Sequence, residues 1–196
     1  LTLSPAAEIE GRAMETLVRE GVIDGVLDVT TTEWADELVG GVLSAGPTRL
    51  DAAAETGTPQ VVSTGALDMV NFGPREEVPE EFEGRSLHVH NPQVTLMRTT
   101  PDECAELGRI IGEKLNAATG PTTLALPLRG VSMLAVEGED FYDPEADAAL
   151  FDALRETVDD DVDLLELDTD VNDEAFAEAI AERLHEHLRE AGRAPE

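Results

Sequence analysis

Aromatic residues, cysteine and lysine are all scarce in this chain, and each scarcity closes off a class of protein. Cys104 stands alone, so no disulfide can form within the chain, and a reducing, cytoplasmic setting is expected. Aromatics are 4% of the residues, so a core must be assembled from Leu, Val, Ile and Ala. No apolar run approaches the roughly 20 residues of a membrane span. The opening LTLSP has neither the charged nor the apolar region of a secretory signal, and it lacks an initiating Met, as a fragment of a longer protein would. The phosphate-cradling patterns G-x-G-x-x-G and G-K-[ST] are missing, and so is the G-x-S-x-G of a serine nucleophile.

Basic residues are outnumbered 13 to 43 by acidic ones, for a net charge of -30, and Lys114 is the only lysine. Such a surface repels nucleic-acid phosphates and anionic membranes, which excludes both as partners. Dense Asp and Glu with little Lys is the composition of a halophilic protein. In molar salt self-repulsion is screened within about 3 Å, and the charge then describes the solvent. The hydrophobic runs are too regular for a disordered acidic chain.

What is present is an alternation of helical periodicity with short apolar runs. Helices are expected over 7–20, 32–39, 47–55, 101–116, 146–157 and 173–191, and strands over 22–27, 60–62, 87–89, 122–126 and 162–167. Thr100, Pro101 and Glu103 form a capping box, and Asp143 with Pro144 starts another helix. Alternating strands and helices imply parallel strands with helical crossovers. The fold class is therefore α/β: one Rossmann-like domain over 1–196, with an open, mostly parallel sheet of about five strands and helices on both faces.

Open α/β sheets bind ligands beyond the carboxyl ends of their strands, so the residues after each strand are the site candidates. DVTTTE, residues 28–33, has two readings. In one, Thr30 caps a helix and Glu33 completes a capping box. In the other, the helix start and the hydroxyls of Thr30, Thr31 and Thr32 bind an anion, with Asp28, Glu33 and Asp68 holding a bridging cation such as magnesium. Ser63, Thr64 and Gly65 form a turn where backbone could approach a ligand closely. His90 and Asn91 follow the third strand; His90 is the ring suited to acid–base work. His88 shares a strand face with His90, and the pair lacks a nearby third metal ligand. His185 and His187 are expected on the surface of an acidic helix. Arg129 and Gly130 follow the fourth strand; Arg129 suits a carboxylate or phosphate, or pairs with one of the many carboxylates, and Arg98 reads the same way. No nucleophile–base pair is identifiable, so no reaction is assigned.

The stretches GRAMETLVREGVIDGVLDVTTTEWADELVGG, AGPTRLDAAAETGTPQVVSTGALDMVNFGP, HNPQVTLMRTTPDE, LPLRGVSML and FYDPEADAALFDAL together resemble the Tm-one-like ATP-binding family, named for a tomato mosaic virus resistance protein. The resemblance covers nearly the whole chain. It implies two consecutive Rossmann-like halves, of which this chain is similar to the second. ATP with magnesium is the ligand it implies, associated chiefly with the first half. It also implies a homodimer, and partners in the first half or in an adjacent barrel domain. Relatives lead into RAME with a glycine-rich stretch; here Glu8-Ile9-Glu10-Gly11 stands in its place. A small-ligand-binding module is the first expectation, and a non-enzymatic dimerising or regulatory module the second.

Overall fold

Gly21, left-handed at φ +70, ends the first helix and delays the first strand. In the computed structural model, which describes residues 6–193 and the side chains of the first helix from Arg12 onward, α1 is Ala6–Arg19 and β1 is Val26–Thr30. The expected strand over 22–27 is thus displaced. Val22 is exposed, and pairing of Val26 with Gln60 on the next strand sets the start instead. Asp28 and Thr30 consequently lie inside β1. Ile9, expected on the apolar face of α1, lies outside the described side chains.

After β1 come α2 (Glu33–Val39), α3 (Asp51–Thr56) and β2 (Gln60–Gly65). Then follow β3 (Met69–Phe72), β4 (Leu87–Asn91), β5 (Val94–Arg98) and α4 (Pro101–Asn116). The chain closes with β6 (Thr122–Pro127), α5 (Pro144–Thr157), β7 (Asp163–Leu167) and α6 (Glu174–Glu190). Strands β1, β2, β6 and β7 pair in parallel, in that order. The expected α/β class with an open parallel sheet holds. Four of the five expected strands build it. The fifth, around Leu87–Val89, belongs to a separate antiparallel sheet ordered β3-β5-β4.

Alternation along the strands assigns the two faces. Val62, Leu124 and Leu126 share the main core with Leu107 and Ile111 of α4 and Leu150 and Leu154 of α5. Val61 and Ala125 point the other way, against Phe176 and Ile180 of α6. Burying a Leu or Ile side chain is worth about 1.5–3 kcal/mol, which is how an aromatic-poor chain holds this core. α4 has the expected capping box: Thr100 Oγ1 accepts from Glu103 N, and Glu103 Oε2 accepts from Thr100 N. Asp143 caps α5, accepting from Glu145 N and Ala146 N. His187, expected at the surface, is buried; its Nε2 lies 2.7 Å from Thr123 Oγ1 at the start of β6.

Candidate functional site

The threonine turn is the first strand end. Thr30 caps nothing: α2 begins after Thr32, whose side chain makes no capping bond. Thr31 is buried and donates to the Ser63 carbonyl at 3.0 Å, stitching the ends of β1 and β2 together. Thr32 Oγ1 donates to the Met69 carbonyl at 3.4 Å. The hydroxyls of Thr31 and Thr32 are therefore bound to backbone, where the strand shift placed them.

The expected cation set of Asp28, Glu33 and Asp68 does not assemble. Arg49 donates to both Asp28 oxygens, at 2.5 and 2.7 Å, and its Nε lies 3.8 Å from Glu33 Oε1. Arg49 and Asp28 are 4% and 7% exposed, so a guanidinium stands where magnesium was expected. Asp68 lies elsewhere, accepting from the Ser132 hydroxyl at 2.6 Å. Among the described residues no three His, Cys, Asp or Glu side chains are placed to hold a metal ion. The residues of this turn do not fit a magnesium ion.

The end of β2 is a buried polar floor. A Cβ on Gly65 would stand 2.3 Å from the Val29 carbonyl, so the close approach this glycine permits is to β1 and not to a ligand. Ser63 Oγ, Thr64 Oγ1 and Asp68 Oδ1 are buried without a protein hydrogen-bond partner. Ala66 N donates to the Val131 carbonyl, tying the loops after β2 and β6. Burial pushes the Asp68 carboxyl up to about 6, against the lowering pull of Ser132 and of nearby Arg98.

His90 and Asn91 sit apart from these loops because β4 lies in the antiparallel sheet. His90 is exposed, and Asn91 Oδ1 accepts from Gln93 N in the hairpin turn. His88 Nδ1 is 2.7 Å from Asp140 Oδ2.

The ends of β6 and β7 form an open cleft of about 690 Å³. Gly130 bridges to Asp170 and holds the two loops in register. Arg129 lines the cleft and donates from Nε and Nη2 to the two oxygens of Asp168, at 2.7 and 2.8 Å. One face of α5 supplies Asp147, Phe151 and Arg155, and Tyr142 comes from the loop before it. Arg155 pairs with Asp152 and Glu166. Behind the wall, buried Arg98 donates to Asp147 at 2.6 Å and to the carbonyls of Phe141 and Asp143. Burial raises the Asp147 carboxyl above its usual range, with Arg98 pulling it part of the way back.

Of the candidates that follow the expected strands, Arg129 and Asp170, the latter after the fifth, line this cleft. Arg155, in the last turn of α5, carried no signal in sequence, but Tyr142 and Asp147 were missed although theirs was available. FYDPEAD caps the crossover between two parallel strands, and the first turns of such a helix stand at the sheet's carboxyl edge. The lining offers two guanidiniums, a phenol, carboxylates and an apolar wall, which is equipment for recognition.

Fold and cleft together define a Rossmann-like α/β module with a ligand-sized opening at its strand ends. The chain belongs to the family described as "Uncharacterised protein family (UPF0261) C-terminal domain", whose model matches residues 6–188. It is 61% identical over 175 residues to a UPF0261 protein of Clostridium tetani (strain Massachusetts / E88), covering 89% of this chain and 43% of that protein. It is 56% identical over 171 residues to a UPF0261 protein of Rhizobium meliloti (strain 1021), covering 86% and 43%. The ToMV resistance protein Tm-1(GCR237) of Solanum lycopersicum is 48% identical over 179 residues, 90% of this chain and 24% of that protein. These matches bear out the Tm-one-like resemblance. The chain spans under half the length of these relatives. No helix among the described residues is long and apolar enough to cross a membrane.

Proposed function

We propose that this domain binds a small polar ligand carrying anionic groups and hydroxyls, a nucleotide or a sugar phosphate, in the cleft at the ends of β6 and β7. The observation that carries the reading is the cleft itself. Its volume of about 690 Å³ falls in the usual range for small-molecule sites, about 300–1,000 Å³. It opens where open α/β sheets bind ligands. Arg129 and Arg155 are the cleft's anion-recognising groups, since a guanidinium exchanges a surface carboxylate for a ligand phosphate with little reorganisation. Phe151 and Tyr142 give a planar group an apolar wall.

Thermal shift in molar salt against ATP with magnesium, ADP, phosphoenolpyruvate and sugar phosphates tests the reading. A ligand at 100 times its Kd stabilises by about 2.7 kcal/mol, which raises the midpoint by about 5–10 °C at this chain length. Arg155→Gln should remove the shift. Thr31→Ala should leave it, because Thr31 is tied to Ser63 and does not reach the cleft. A flat response to the whole panel would move the reading to a second one, a dimerising or regulatory module. Leu128 and Tyr142 line the cleft at 37% and 46% exposure, and Met133 in the same loop is 73% exposed. A second copy, the first half of the family architecture or an adjacent barrel domain would cover these apolar groups, and light scattering would detect a dimer.

A further inference from the structure

Asp147 stands in the first turn of α5 and lines the strand-end cleft. Its side chain is 13% exposed, against 5% for Arg98 behind it. The two carboxylate oxygens have different surroundings. Oδ1 accepts from Arg98 Nη2 at 2.6 Å. Oδ2 accepts from no described residue, yet unlike Asp68 Oδ1 it keeps contact with solvent, so its lone pairs are open to whatever enters the cleft. Arg98 cannot take a ligand itself, because its donors are used. Nε donates to the Phe141 carbonyl at 2.9 Å, Nη1 to Thr99 Oγ1 at 3.1 Å, and Nη2 to the Asp143 carbonyl at 3.3 Å as well as to Asp147. One guanidinium at the end of β5 therefore holds the loop over 141–143 and the Asp147 carboxylate together. A carboxylate fixed in this way does not have to be ordered when a ligand arrives. The same guanidinium offsets the Asp147 charge, so the open oxygen is an acceptor for a neutral donor more than an anchor for a cation. Asp147 and Phe151 are four residues apart on α5, which puts the acceptor beside the apolar wall. A sugar ring, apolar on its C–H face and polar at its rim, matches both.

We propose that Asp147 is the specificity-determining residue of the cleft: its open oxygen accepts a hydrogen bond from a ligand hydroxyl, and Arg98 is the positioning residue that aims it. The ligand class is then a phosphorylated sugar, and phosphates that carry no hydroxyl are excluded. This rests on the reading that the cleft takes a small anionic molecule.

The test is calorimetric titration with two probes, ribose 5-phosphate and tetrahydrofurfuryl phosphate, the same ring without its hydroxyls. The wild type should bind ribose 5-phosphate about tenfold or more tighter, the worth of a hydrogen bond to a charged acceptor. Asp147→Asn keeps an oxygen for Arg98 and places an amide N–H where the open acceptor stood, so most of the preference should be lost. Asp147→Ala should lose all of it. Neither variant should bind tetrahydrofurfuryl phosphate more weakly than the wild type does, whereas a merely structural role would weaken both probes together. Arg98→Lys keeps the charge but not the fork, and should lower the preference in the same selective way. Circular dichroism of each unliganded variant confirms that the fold is kept. Equal binding of the two probes by the wild type overturns the proposal and leaves the cleft reading standing. So does a preference that survives in Asp147→Asn and is lost in Asp170→Asn, which would assign the hydroxyl to the loop after β7. Binding of neither probe, or binding untouched by Arg155→Gln, overturns the cleft reading and this proposal with it.

Discussion

Replacing Arg49 by Met tests whether a guanidinium or a cation organises the start of the sheet. Arg49 is 4% exposed and Asp28 7%, with both oxygens of the carboxylate held at 2.5 and 2.7 Å. Glu33 and Glu15 stand close enough that burial raises both carboxyls while Arg49 pulls both back down. Removing one partner of a buried pair costs about 3–5 kcal/mol, because the other charge is left buried and unpaired. At about 2–4 °C per kcal/mol for a chain this long, Arg49→Met should lower the midpoint by about 6–20 °C at pH 7. The sign of the pH dependence follows. Without Arg49 the folded-state pKa values of Glu33 and Glu15 rise further above their unfolded values. Stability is then present at low pH and lost as pH rises, so the deficit should shrink between pH 7 and pH 5. Urea midpoints at the two pH values measure this. Magnesium chloride, compared with potassium chloride at equal ionic strength, should leave the wild type unmoved and partly restore the variant. A deficit below about 1 kcal/mol, equal at both pH values, is the behaviour of an exposed pair and would refute the reasoning.

Asp36 is buried and accepts from Asn71 N, Asn71 Nδ2 and Leu43 N, and burial still pushes its carboxyl up to about 6 from the usual 3.8. A raised folded pKa means stability that is full below 3.8 and lost through 6, about 3 kcal/mol between pH 4 and pH 7. Asp36→Asn should therefore compare better with the wild type at pH 7 than at pH 4 in urea melts, and the opposite order would count against the burial argument. Cys104 is fully buried with its thiol pushed up to about 11, so it should react with a thiol reagent only as fast as the protein unfolds. Gly65→Ala would force a Cβ to 2.3 Å from the Val29 carbonyl, and should destabilise by more than the about 1 kcal/mol typical of a point change, measured as a chemical-denaturation midpoint. With a net charge of -30, the thermal midpoint should climb steadily from 0.1 to 2 M potassium chloride; a flat profile would remove the halophilic reading.

Elements marked by local chemistry were legible from sequence, and elements set by distant pairing were not. Thr100, Glu103, Asp143 and Pro144 announce their helices because capping is complete within four residues. Val22–Leu27 is apolar enough to read as a strand, yet Val26 begins it, because the choice is made by Gln60 across the sheet. That four-residue shift carried Thr30 from a helix cap into β1. The antiparallel sheet was missed for a related reason. LHVHNPQVTLMR is a hairpin, but alternation along the chain marks only its first half as a strand and points that half to the parallel sheet. His90 and Asn91 left the candidate site with it.

The composition itself explains why the site was harder to read than the fold. In a chain with more than three carboxylates per cation, nearly any arginine finds a partner, so an arginine beside a strand end carries little information in sequence. Arg98, Arg129, Arg155 and Arg49 all have carboxylate partners, and only burial separates their roles. Arg129, at 65% exposure, holds an exposed partner that a ligand phosphate can displace. Arg49 and Arg98 are held at 4% and 5% exposure and brace Asp28 and Asp147 from behind. The partners lie 21 and 49 residues away, so no window of local sequence contains both members of either pair. Scarcity of cations makes each arginine's position consequential, and abundance of carboxylates hides which consequence it has until the chain is folded.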